Sequence, residues 1–495
     1  MNKQTFFILS GIFSLFLASC TAEPLHVKLT LPRDTEKVWT ALTSRVPLPQ
    51  GIILSRGSRN TEGCSIVLSS SFAPAGEEYT LRSEKRFTSY SSVISRQWYA
   101  PQTALWSLDS VTKTALVPLS HIRLPMKALP LKGSYPDSAA YPGVKTTTVT
   151  LFLPKDAKNI PRTLREQLVT WIQQLSHNPL GRVDKKPDIV WIGGVGDLMV
   201  QRGVETILLG SKNGIHTIFT DTLPILRKED LLLGNLEGSI TRRNKKTPKS
   251  YNFKFNPAVL PILHDAGFDY LSQTNNHIYD YGRAGFIDSL TYLKKSPIAT
   301  SGAGLTVSEA QQYWETTVKG LHVRVLSIGA YPREQNGFDG RTEASVTASR
   351  PGILFAGPAA DDAVRKMVSQ DTFDIIFIHG GREWHSKPVT EQEALYRKYI
   401  DMGADLILGS HPHVLQGLEA RKGKLIAYSL GNFIFPGMGG MRYGEDSMIL
   451  SLGIVRGTIQ YVVPRPVTIH DRTISLARGK QILRRYMKLT KEQNR

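Results

Sequence analysis

The sequence predicts an α/β fold for the part of the chain that follows residue 188, and two regular patterns support this. The first is a series of short apolar runs that read as buried strands, such as "FDIIFIHGG" at 373–381 and "ADLILGSHPH" at 404–413. The second is the set of amphipathic segments between them, such as "RAGFIDSLTYLKK" at 283–295 and "TEQEALYRKYIDMG" at 390–403, in which apolar residues recur at helical spacing. Strands that alternate with helices are typical of layered α/β folds.

The apolar runs share a further feature, because nearly all of them end in a side chain that can bind a metal ion. The residues concerned are Asp197, Glu237, Asn276 with His277, His379, His411 with His413, and Asn432. Ligand sites of layered α/β folds lie beyond the carboxyl ends of the strands, so separate loops would bring these side chains to one edge. Any one of them has an ordinary explanation, since Asp and Asn often cap helices. The joint pattern favours a single site.

The types of side chain indicate which metals such a site would suit. Carboxylates and imidazoles together suit Mn, Zn or Fe, whereas an all-oxygen set would suggest Mg or Ca. A carboxylate can bridge two cations, which can together activate a water molecule. In "GSHPHVLQG" at 409–417, the ring of Pro412 restricts the backbone between the imidazoles of His411 and His413. A loop that contains two histidines by chance is the alternative explanation.

Length and charge limit the number of domains and the kind of partner. The 495 residues suggest two or three domains. The formal net charge of +19 favours polyanionic partners, although an excess of basic residues can also serve only to keep a protein soluble. No nucleic-acid-binding motif accompanies this charge, so we expect no nucleic-acid partner.

The first 20 residues read as a bacterial lipoprotein signal peptide. Lys3 is followed by the apolar run 6–17 and by "LASC", which resembles the lipobox that precedes a lipidated cysteine, here Cys20. The apolar run is too short to span a membrane. We therefore expect an exported protein of the bacterial cell envelope that is held at the membrane surface by a lipid anchor. An ordinary cleaved signal peptide is the alternative. With Cys20 lipidated, Cys64 would have no intrachain partner, and no disulfide framework is expected.

Residues 25–183 are predicted to form a smaller N-terminal α/β domain. The stretches "HVKLTLPRD" (26–34) and "TVTLFLPKD" (148–156) alternate as strands do, and "IPRTLREQLVTWIQQL" (160–175) has helical spacing. Segment 114–142 faintly resembles part of periplasmic phosphate-binding-like domains, without a recognisable site. The stretch 176–188, rich in Pro, Gly and charge, reads as a linker.

Residues 190 to 435 resemble the CapA family of poly-γ-glutamate capsule synthesis proteins, whose domain is similar to that of the calcineurin-like metallophosphoesterases. The matching blocks come in the family's order: "GDLMVQRGVE", "GNLEGSIT", "NNHIYDYGRAGFIDSLTYL", "GAG", "HGGREW", "IDMGADLILGSHPHVLQGLE" and "YSLGNF". The resemblance implies a layered αββα sandwich of metallophosphoesterase type at 187–465. The smaller α/β domain would precede this sandwich, and a basic C-terminal segment at 466–495 would follow it.

The resemblance also implies roles for the polar residues. The implied metal ligands are Asp197, Glu237, Asn276, His379, His411 and His413, with Glu237 as the bridging carboxylate and His277 as the catalytic proton donor. The superfamily pattern has Asp-x-His at the first position, whereas this chain has Asp197-Leu198-Met199. We therefore expect one firm metal site, formed by Glu237, Asn276, His379 and His411. The other site, formed by Asp197, His413 and the bridge, would be weak or absent.

Several further residues are candidates with less defined roles. Asp280 would shape its loop or support a histidine, Asn432 would line the site or close a turn, and Glu383 would be a ligand, a base or a surface residue. The basic loop "ITRRNKKTPKS" at 240–250 includes Arg242, Arg243, Lys245, Lys246 and Lys249. It reads as a solvated loop, or as a cationic surface on which Arg242 and Lys245 collect a polycarboxylate or a phosphate.

Three functions are compatible with these features. The resemblance implies an envelope-anchored protein that acts in the biosynthesis, export or anchoring of poly-γ-glutamate or a similar anionic surface polymer. It would carry a metal-dependent hydrolase site and have polymer synthesis or export machinery as a partner. The alternatives are a metal-dependent phosphoesterase for an exported phosphorylated substrate, and a non-catalytic module that binds polyanions.

Overall fold

The structure is a computed structural model in which the chain forms two compact units. One unit comprises Met1–Ser92 and Ser134–Pro187, and the other comprises Val93–Gly133 and Asp188–Arg495. The structure describes residues 188–494 without a gap. Before them it describes the backbone of eight strands between residues 25 and 154, together with Leu124, Tyr135 and six residues between 162 and 170. The predicted lipidation site, Cys20, lies outside the described residues.

The strands that precede residue 188 include both of those predicted from the sequence. They are β1 (Leu25–Thr30), β2 (Ile52–Arg56), β3 (Cys64–Ser69), β4 (Tyr79–Ser92), β5 (Ile94–Ser95), β6 (Val117–Pro118), β7 (Lys127–Ala128) and β8 (Val144–Pro154). β1 pairs in parallel with β2 and β3, and β8 lies antiparallel between β3 and β4. The described residues between 162 and 170 are helical, as the spacing in 160–175 predicts. The domain boundaries 25–183 and 187–465 stay predictions.

The larger unit contains two mixed sheets, in which parallel strands are flanked by antiparallel ones, and several short strands. Its strands from residue 188 onward are β9 (Val190–Leu198), β10 (Leu231–Leu236), β11 (Ser239–Ile240), β12 (Lys254–Phe255), β13 (Tyr270–Ser272), β14 (Ala303–Gly304), β15 (Trp314–Val318), β16 (Leu321–Ala330), β17 (Gly352–Ile353), β18 (Phe373–Gly380), β19 (Leu406–Ser410), β20 (Leu418–Arg421), β21 (Lys424–Ala427), β22 (Asn432–Ile434), β23 (Asp446–Val455), β24 (Thr458–His470) and β25 (Thr473–Leu476). The first sheet has the order β13-β10-β9-β23-β24-β25, with β22 paired to β9. The second has the order β15-β16-β18-β19-β21-β20.

Helices connect most of these strands. They are α1 (Val204–Gly210), α2 (Gly214–Phe219), α3 (Leu223–Leu226), α4 (Val259–Asp265), α5 (Gly282–Lys294), α6 (Val307–Ala310), α7 (Gly340–Glu343), α8 (Pro358–Met367), α9 (Thr390–Met402) and α10 (Gln481–Gln493). The two amphipathic segments predicted at 283–295 and 390–403 correspond to α5 and α9. None of the helices in the described part of the chain has the length and the apolar content that a membrane crossing requires.

The two sheets pack face to face, and side chains alternate between the two faces of each strand. In β18, Ile375 and Phe377 join a buried cluster that contains Ile192 and Leu233 of the first sheet. Their neighbour Ile376 lies instead in a second cluster, on the outer face of the sheet. This period of two follows from the pleat of a strand. Burying each such side chain stabilises the fold by about 1.5–3 kcal/mol.

Helices cover the outer face of each sheet. Val364 of α8 and Tyr396 of α9 pack with Ile376 on the second sheet. Val204 of α1 and Leu263 of α4 belong to a cluster on the first sheet. The order of layers is therefore helix, sheet, sheet, helix, and the predicted αββα sandwich is confirmed. The C-terminal segment 466–495 contributes the end of β24, β25 and α10 to the same unit.

Candidate metal centre

Two carboxylates and one imidazole, contributed by both sheets, meet in the interior. Asp197 near the end of β9, Glu237 just after β10 and His379 near the end of β18 are completely buried. A potential ligand atom from each lies within 4.8 Å of those of the other two. The carboxyl ends of these strands thus bring together residues that are far apart in the sequence, as expected for a layered α/β fold.

A close approach of the backbone fixes Asp197. A Cβ atom at Gly196 would lie 1.8 Å from the carbonyl oxygen of Gly431, so only glycine fits there. The neighbouring amide of Asp197 donates a hydrogen bond of 3.0 Å to the same carbonyl. The Asp197 carboxylate also accepts a 2.8 Å hydrogen bond from Asn235 Nδ2 and a 3.2 Å bond from the amide of His411.

Glu237 lies at the middle of the cluster without a hydrogen-bond partner. Both of its carboxylate oxygens are buried and unpartnered among the described residues. Its Oε1 lies 3.7 Å from His413 Nε2, 3.8 Å from His277 Nε2 and 4.0 Å from His379 Nε2. Burial, and then the nearby Asp197 carboxylate, raise the pKa of Glu237 well above its usual range. A buried carboxylate without partners is costly, and a bound cation would offset that cost.

Asn276, His379 and His411 present three ligand atoms to one another. His379 Nε2 lies 3.0 Å from Asn276 Oδ1 and 3.1 Å from His411 Nδ1. On the other side of the ring, His379 Nδ1 lies 2.9 Å from Ser410 Oγ. Burial, and then neighbouring histidines, lower the pKa of both His379 and His411 well below the usual value. Both rings are therefore neutral, which is the form that can bind a metal.

His413 faces the carboxylates rather than His379. Its Nδ1 lies 2.8 Å from Asn432 Oδ1 and 3.4 Å from Asp197 Oδ2. Burial lowers the pKa of His413, but the charges of Glu237 and Asp197 outweigh burial and raise it to about 10. Around Pro412, His411 (φ 95°) and His413 (φ 57°) both have the left-handed backbone that side chains rarely adopt. Such strain persists only where the surrounding structure enforces it.

His277 is the most accessible histidine of the group, with 10% of its side chain exposed. Its Nδ1 lies 2.7 Å from Asp280 Oδ2, which also accepts a 2.6 Å hydrogen bond from the amide of Phe253. The Phe253 ring packs on the imidazole at a centroid distance of 4.2 Å. Asp280 therefore both shapes its turn and supports a histidine, the two roles that the sequence left open.

The remaining candidates divide into one buried and three exposed residues. Asn432 is buried against His413, at the start of β22 rather than at the end of a strand. Glu383 is exposed, and its charge raises the pKa of His413. Arg242 and Lys245 are exposed on the basic loop.

Sequence reasoning missed Asn235 and Trp384. Asn235 is buried and links Asp197 to His379, whose Nδ1 lies 3.1 Å from Asn235 Nδ2. The sequence feature that could have indicated Asn235 is its place as a polar residue inside the apolar run "LLLGNLEG". Trp384 packs against His413 at a centroid distance of 5.4 Å, and its amide donates a 2.9 Å hydrogen bond to the carbonyl of Pro412.

The layered fold and the buried cluster define an α/β protein with a group of side chains suited to a divalent metal ion. The sequence matches the family described as bacterial capsule synthesis protein PGA_cap over residues 192–437. It is 32% identical over 294 residues to the PGA biosynthesis protein CapA of Bacillus subtilis (strain 168), covering 58% of this chain and 73% of that protein. It is 31% identical over 296 residues to the capsule biosynthesis protein CapA of Bacillus anthracis, covering 55% of this chain and 68% of that protein.

These matches assign the protein to a family: the chain belongs to the CapA family of bacterial capsule synthesis proteins. Among solved structures, it is similar to a hypothetical protein from Thermus thermophilus, with a TM-score of 0.36 and 15% identity. That likeness covers 56% of this chain and 98% of the other. The family assignment depends on the sequence matches alone.

Proposed function

We propose that this protein acts at the bacterial cell envelope in the biosynthesis, export or anchoring of poly-γ-glutamate or a similar anionic polymer. We further propose that the buried cluster binds a divalent metal ion, Mn, Zn or Fe, and supports hydrolysis. The names of the two Bacillus relatives refer to PGA and capsule biosynthesis. The single observation that carries the metal proposal is the Glu237 carboxylate, buried and without a hydrogen-bond partner among the described residues.

The residues present fit a metal ion. Two atoms bound to one cation at about 2.0–2.2 Å lie at most about 4.4 Å apart. The separation of 4.0 Å between Glu237 Oε1 and His379 Nε2 falls within that limit and is too long for a hydrogen bond. His379 Nε2 also lies 3.0 Å from Asn276 Oδ1 and 3.1 Å from His411 Nδ1, within the same limit. The proposed firm site consists of Glu237, Asn276, His379 and His411. In it, His379 would bind through Nε2, while Ser410 Oγ at 2.9 Å and Asn235 Nδ2 at 3.1 Å contact its Nδ1 and fix the ring.

The second site would be weaker because it has fewer ligands. Asp197, His413 and the shared Glu237 would form it. Met199, which stands where the superfamily has a third ligand, is fully buried in the apolar cluster of the first sheet. A thioether suits soft metals rather than the metals that carboxylates and imidazoles bind.

A bound divalent metal would polarise a phosphoryl or carbonyl oxygen and make a water molecule more acidic. The chain's own contribution is a positioned proton donor. His277 would donate a proton from Nε2 to the leaving group, while Asp280 holds Nδ1 and sets the direction of the ring. Phe253 on one side of His277 and Trp384 beside His413 would restrict water around the reacting atoms.

The basic loop supports a role in binding polyanions. Arg242, Lys245 and Lys246 are exposed on it. At its far end, the amide of Thr247 donates a 2.9 Å hydrogen bond to the carbonyl of Asp280, so the loop is tied to the turn that carries His277. A polymer with many carboxylates would be attracted to this surface and brought near the cluster.

The proposed localisation depends on Cys20. Lipidation there would hold the protein at the membrane surface, near enzymes that make or export the polymer. A phosphoesterase acting on an exported phosphorylated substrate would use the same cluster. A non-catalytic polyanion-binding module is favoured by Met199, because that residue weakens the second metal site.

One experiment separates these three functions. Purified protein with Mn would be incubated with a γ-glutamyl polymer and, separately, with simple phosphodiesters, alongside Glu237→Gln as the matched inactive variant. Metal-dependent cleavage of the polymer supports the primary proposal, and cleavage of phosphodiesters alone supports the phosphoesterase. Polymer binding without cleavage of either substrate, in protein that binds Mn, identifies the binding module and contradicts hydrolysis.

A further inference from the structure

One lysine of the basic loop turns into the protein instead of facing the solvent. Only 2% of the Lys249 side chain is exposed. Its ammonium nitrogen Nζ donates a 2.7 Å hydrogen bond to the backbone carbonyl of Asn276. Nζ also lies 2.7 Å from Glu334 Oε1 and 3.0 Å from Asp280 Oδ1, the latter an ion pair without hydrogen-bond geometry. The ring of Phe338 covers the ammonium at 4.3 Å. A lysine enclosed in this way cannot reach a substrate.

The carboxylate of Glu334, beside Lys249, orients the side-chain amide of Asn276. Glu334 Oε1 accepts a 3.2 Å hydrogen bond from Asn276 Nδ2. Because the amide of asparagine has one donor end and one acceptor end, holding Nδ2 on Glu334 directs Oδ1 the other way. Oδ1 lies there at 3.0 Å from His379 Nε2, inside the cluster.

The carboxylate of Asp280, also beside Lys249, orients the imidazole of His277. Asp280 turns Oδ1 towards Lys249 and Oδ2 towards His277 Nδ1, 2.7 Å away. One ammonium thus contacts both the carboxylate that orients the implied metal ligand and the carboxylate that orients the implied proton donor. The ammonium of Lys249 also neutralises part of the negative charge that Glu334 and Asp280 place next to Glu237. Removing one partner from such a buried group leaves unpaired charges, which move or take up protons.

We propose that Lys249 is a positioning residue of the metal centre, which holds Asn276 and His277 in place through Glu334, Asp280 and the carbonyl of Asn276. This inference depends on the proposed metal-binding function and deepens it. Lys249 itself touches no ligand atom of the cluster in this arrangement. Residues that orient metal ligands typically change metal affinity about 10–100-fold when replaced.

The test compares Lys249→Met with Lys254→Met in the full-length protein. Lys254 is a suitable control because its Nζ donates to Arg243 O at 2.8 Å and Asn244 Oδ1 at 2.7 Å, both on the basic loop. We expect Mn affinity, measured by titration calorimetry, to fall about 10–100-fold in Lys249→Met. We expect the control to match the parent. In metal-free crystals of Lys249→Met, Asn276 Oδ1 should leave His379 Nε2.

The crystal comparison keeps this inference separate from the metal proposal. If the parent protein binds no Mn, the proposed metal centre is wrong, whereas the position of Asn276 in the metal-free variant still decides the role of Lys249. An unchanged contact between Asn276 and His379, with parental Mn affinity in the folded protein, would overturn the inference and leave Lys249 only a structural role. If Lys249→Met does not fold, Glu334→Ala provides the same test, because it removes the acceptor of Asn276 Nδ2. An unmoved amide in that variant overturns the inference equally.

Discussion

His277 Nδ1 lies 2.7 Å from Asp280 Oδ2, while the Nε2 of the same ring lies 3.8 Å from Glu237 Oε1. One nitrogen is thus held by a carboxylate and the other is directed at the cluster. A histidine oriented in this way is a suitable general acid, because its ring position is fixed before the reaction begins.

Replacing His277 should separate catalysis from metal binding. In His277→Gln, we expect kcat for the substrate identified in the screen to fall about 10²–10⁴-fold, the usual contribution of a general acid. Mn affinity should change little, because His277 is not among the proposed ligands. Steady-state kinetics and calorimetry on the same preparation measure both. His385→Gln is the control, since His385 is exposed on a neighbouring loop. Equal losses of metal affinity and turnover would identify His277 as a ligand instead.

Metal affinity should rise with pH. In the metal-free protein the pKa of His413 is about 10, so the ring carries a proton at neutral pH. If His413 is a ligand, binding must displace that proton, and apparent affinity rises up to about tenfold per pH unit for each proton released. Calorimetry in buffers of different ionisation enthalpy counts the protons. Binding without proton release below the raised pKa would exclude His413 from the ligand set.

Glu237→Gln should stabilise the metal-free protein while it weakens metal binding. The folded-state pKa of Glu237 is raised above its unfolded value of about 4.5, so below that pH the group is protonated in both states and folding loses nothing, whereas stability is lost as pH rises through the folded-state pKa. At neutral pH we expect the variant's free energy of unfolding without metal to be higher by about 1–3 kcal/mol.

Thermal unfolding with a chelator measures the effect of Glu237→Gln, and the difference should vanish in acid. Glu229→Gln is the control, because burial raises the pKa of Glu229 to about 7 outside the cluster. That control should keep the metal affinity of the parent. A Glu237→Gln variant that is less stable than the parent at neutral pH would show that the carboxylate has a partner in the folded protein.

Reversing charges on the basic loop should weaken polyanion binding. In the double variant Arg242→Glu/Lys245→Glu, we expect affinity for poly-γ-glutamate at low salt to fall several-fold, and the difference to shrink as salt screens the charges. The matched control is Lys294→Glu/Lys295→Glu, which reverses two exposed charges at the end of α5. Surface plasmon resonance at two salt concentrations provides the comparison. Equal effects in both variants would mean that only net charge matters.

Local patterns in the sequence were sufficient to predict the layers of the larger unit. The alternation of Ile375, Ile376 and Phe377 in β18 places neighbouring side chains on opposite faces, and this follows from strand geometry alone. The positions of His379 and His411 could also be predicted, since the carboxyl ends of neighbouring parallel strands share one edge. The register of β18 and β19 pairs His379 with Ser410, directly before His411.

Contacts between distant parts of the chain could not be predicted from local patterns. Asn235 meets His379 144 residues further on, and nothing near Asn235 in the sequence specifies that partner. Lys249 stands among exposed basic residues, and its burial becomes evident only when Glu334 and Asp280 are seen around it. A run of basic residues does not indicate which of its members turns inward.

The central claim is that the buried cluster around Glu237 binds one divalent cation firmly. Titration calorimetry of chelator-treated protein with Mn tests it most directly. We expect one tight site per chain, lost in Glu237→Gln and retained in Glu229→Gln. No binding to the parent, or two equally tight sites, would contradict it.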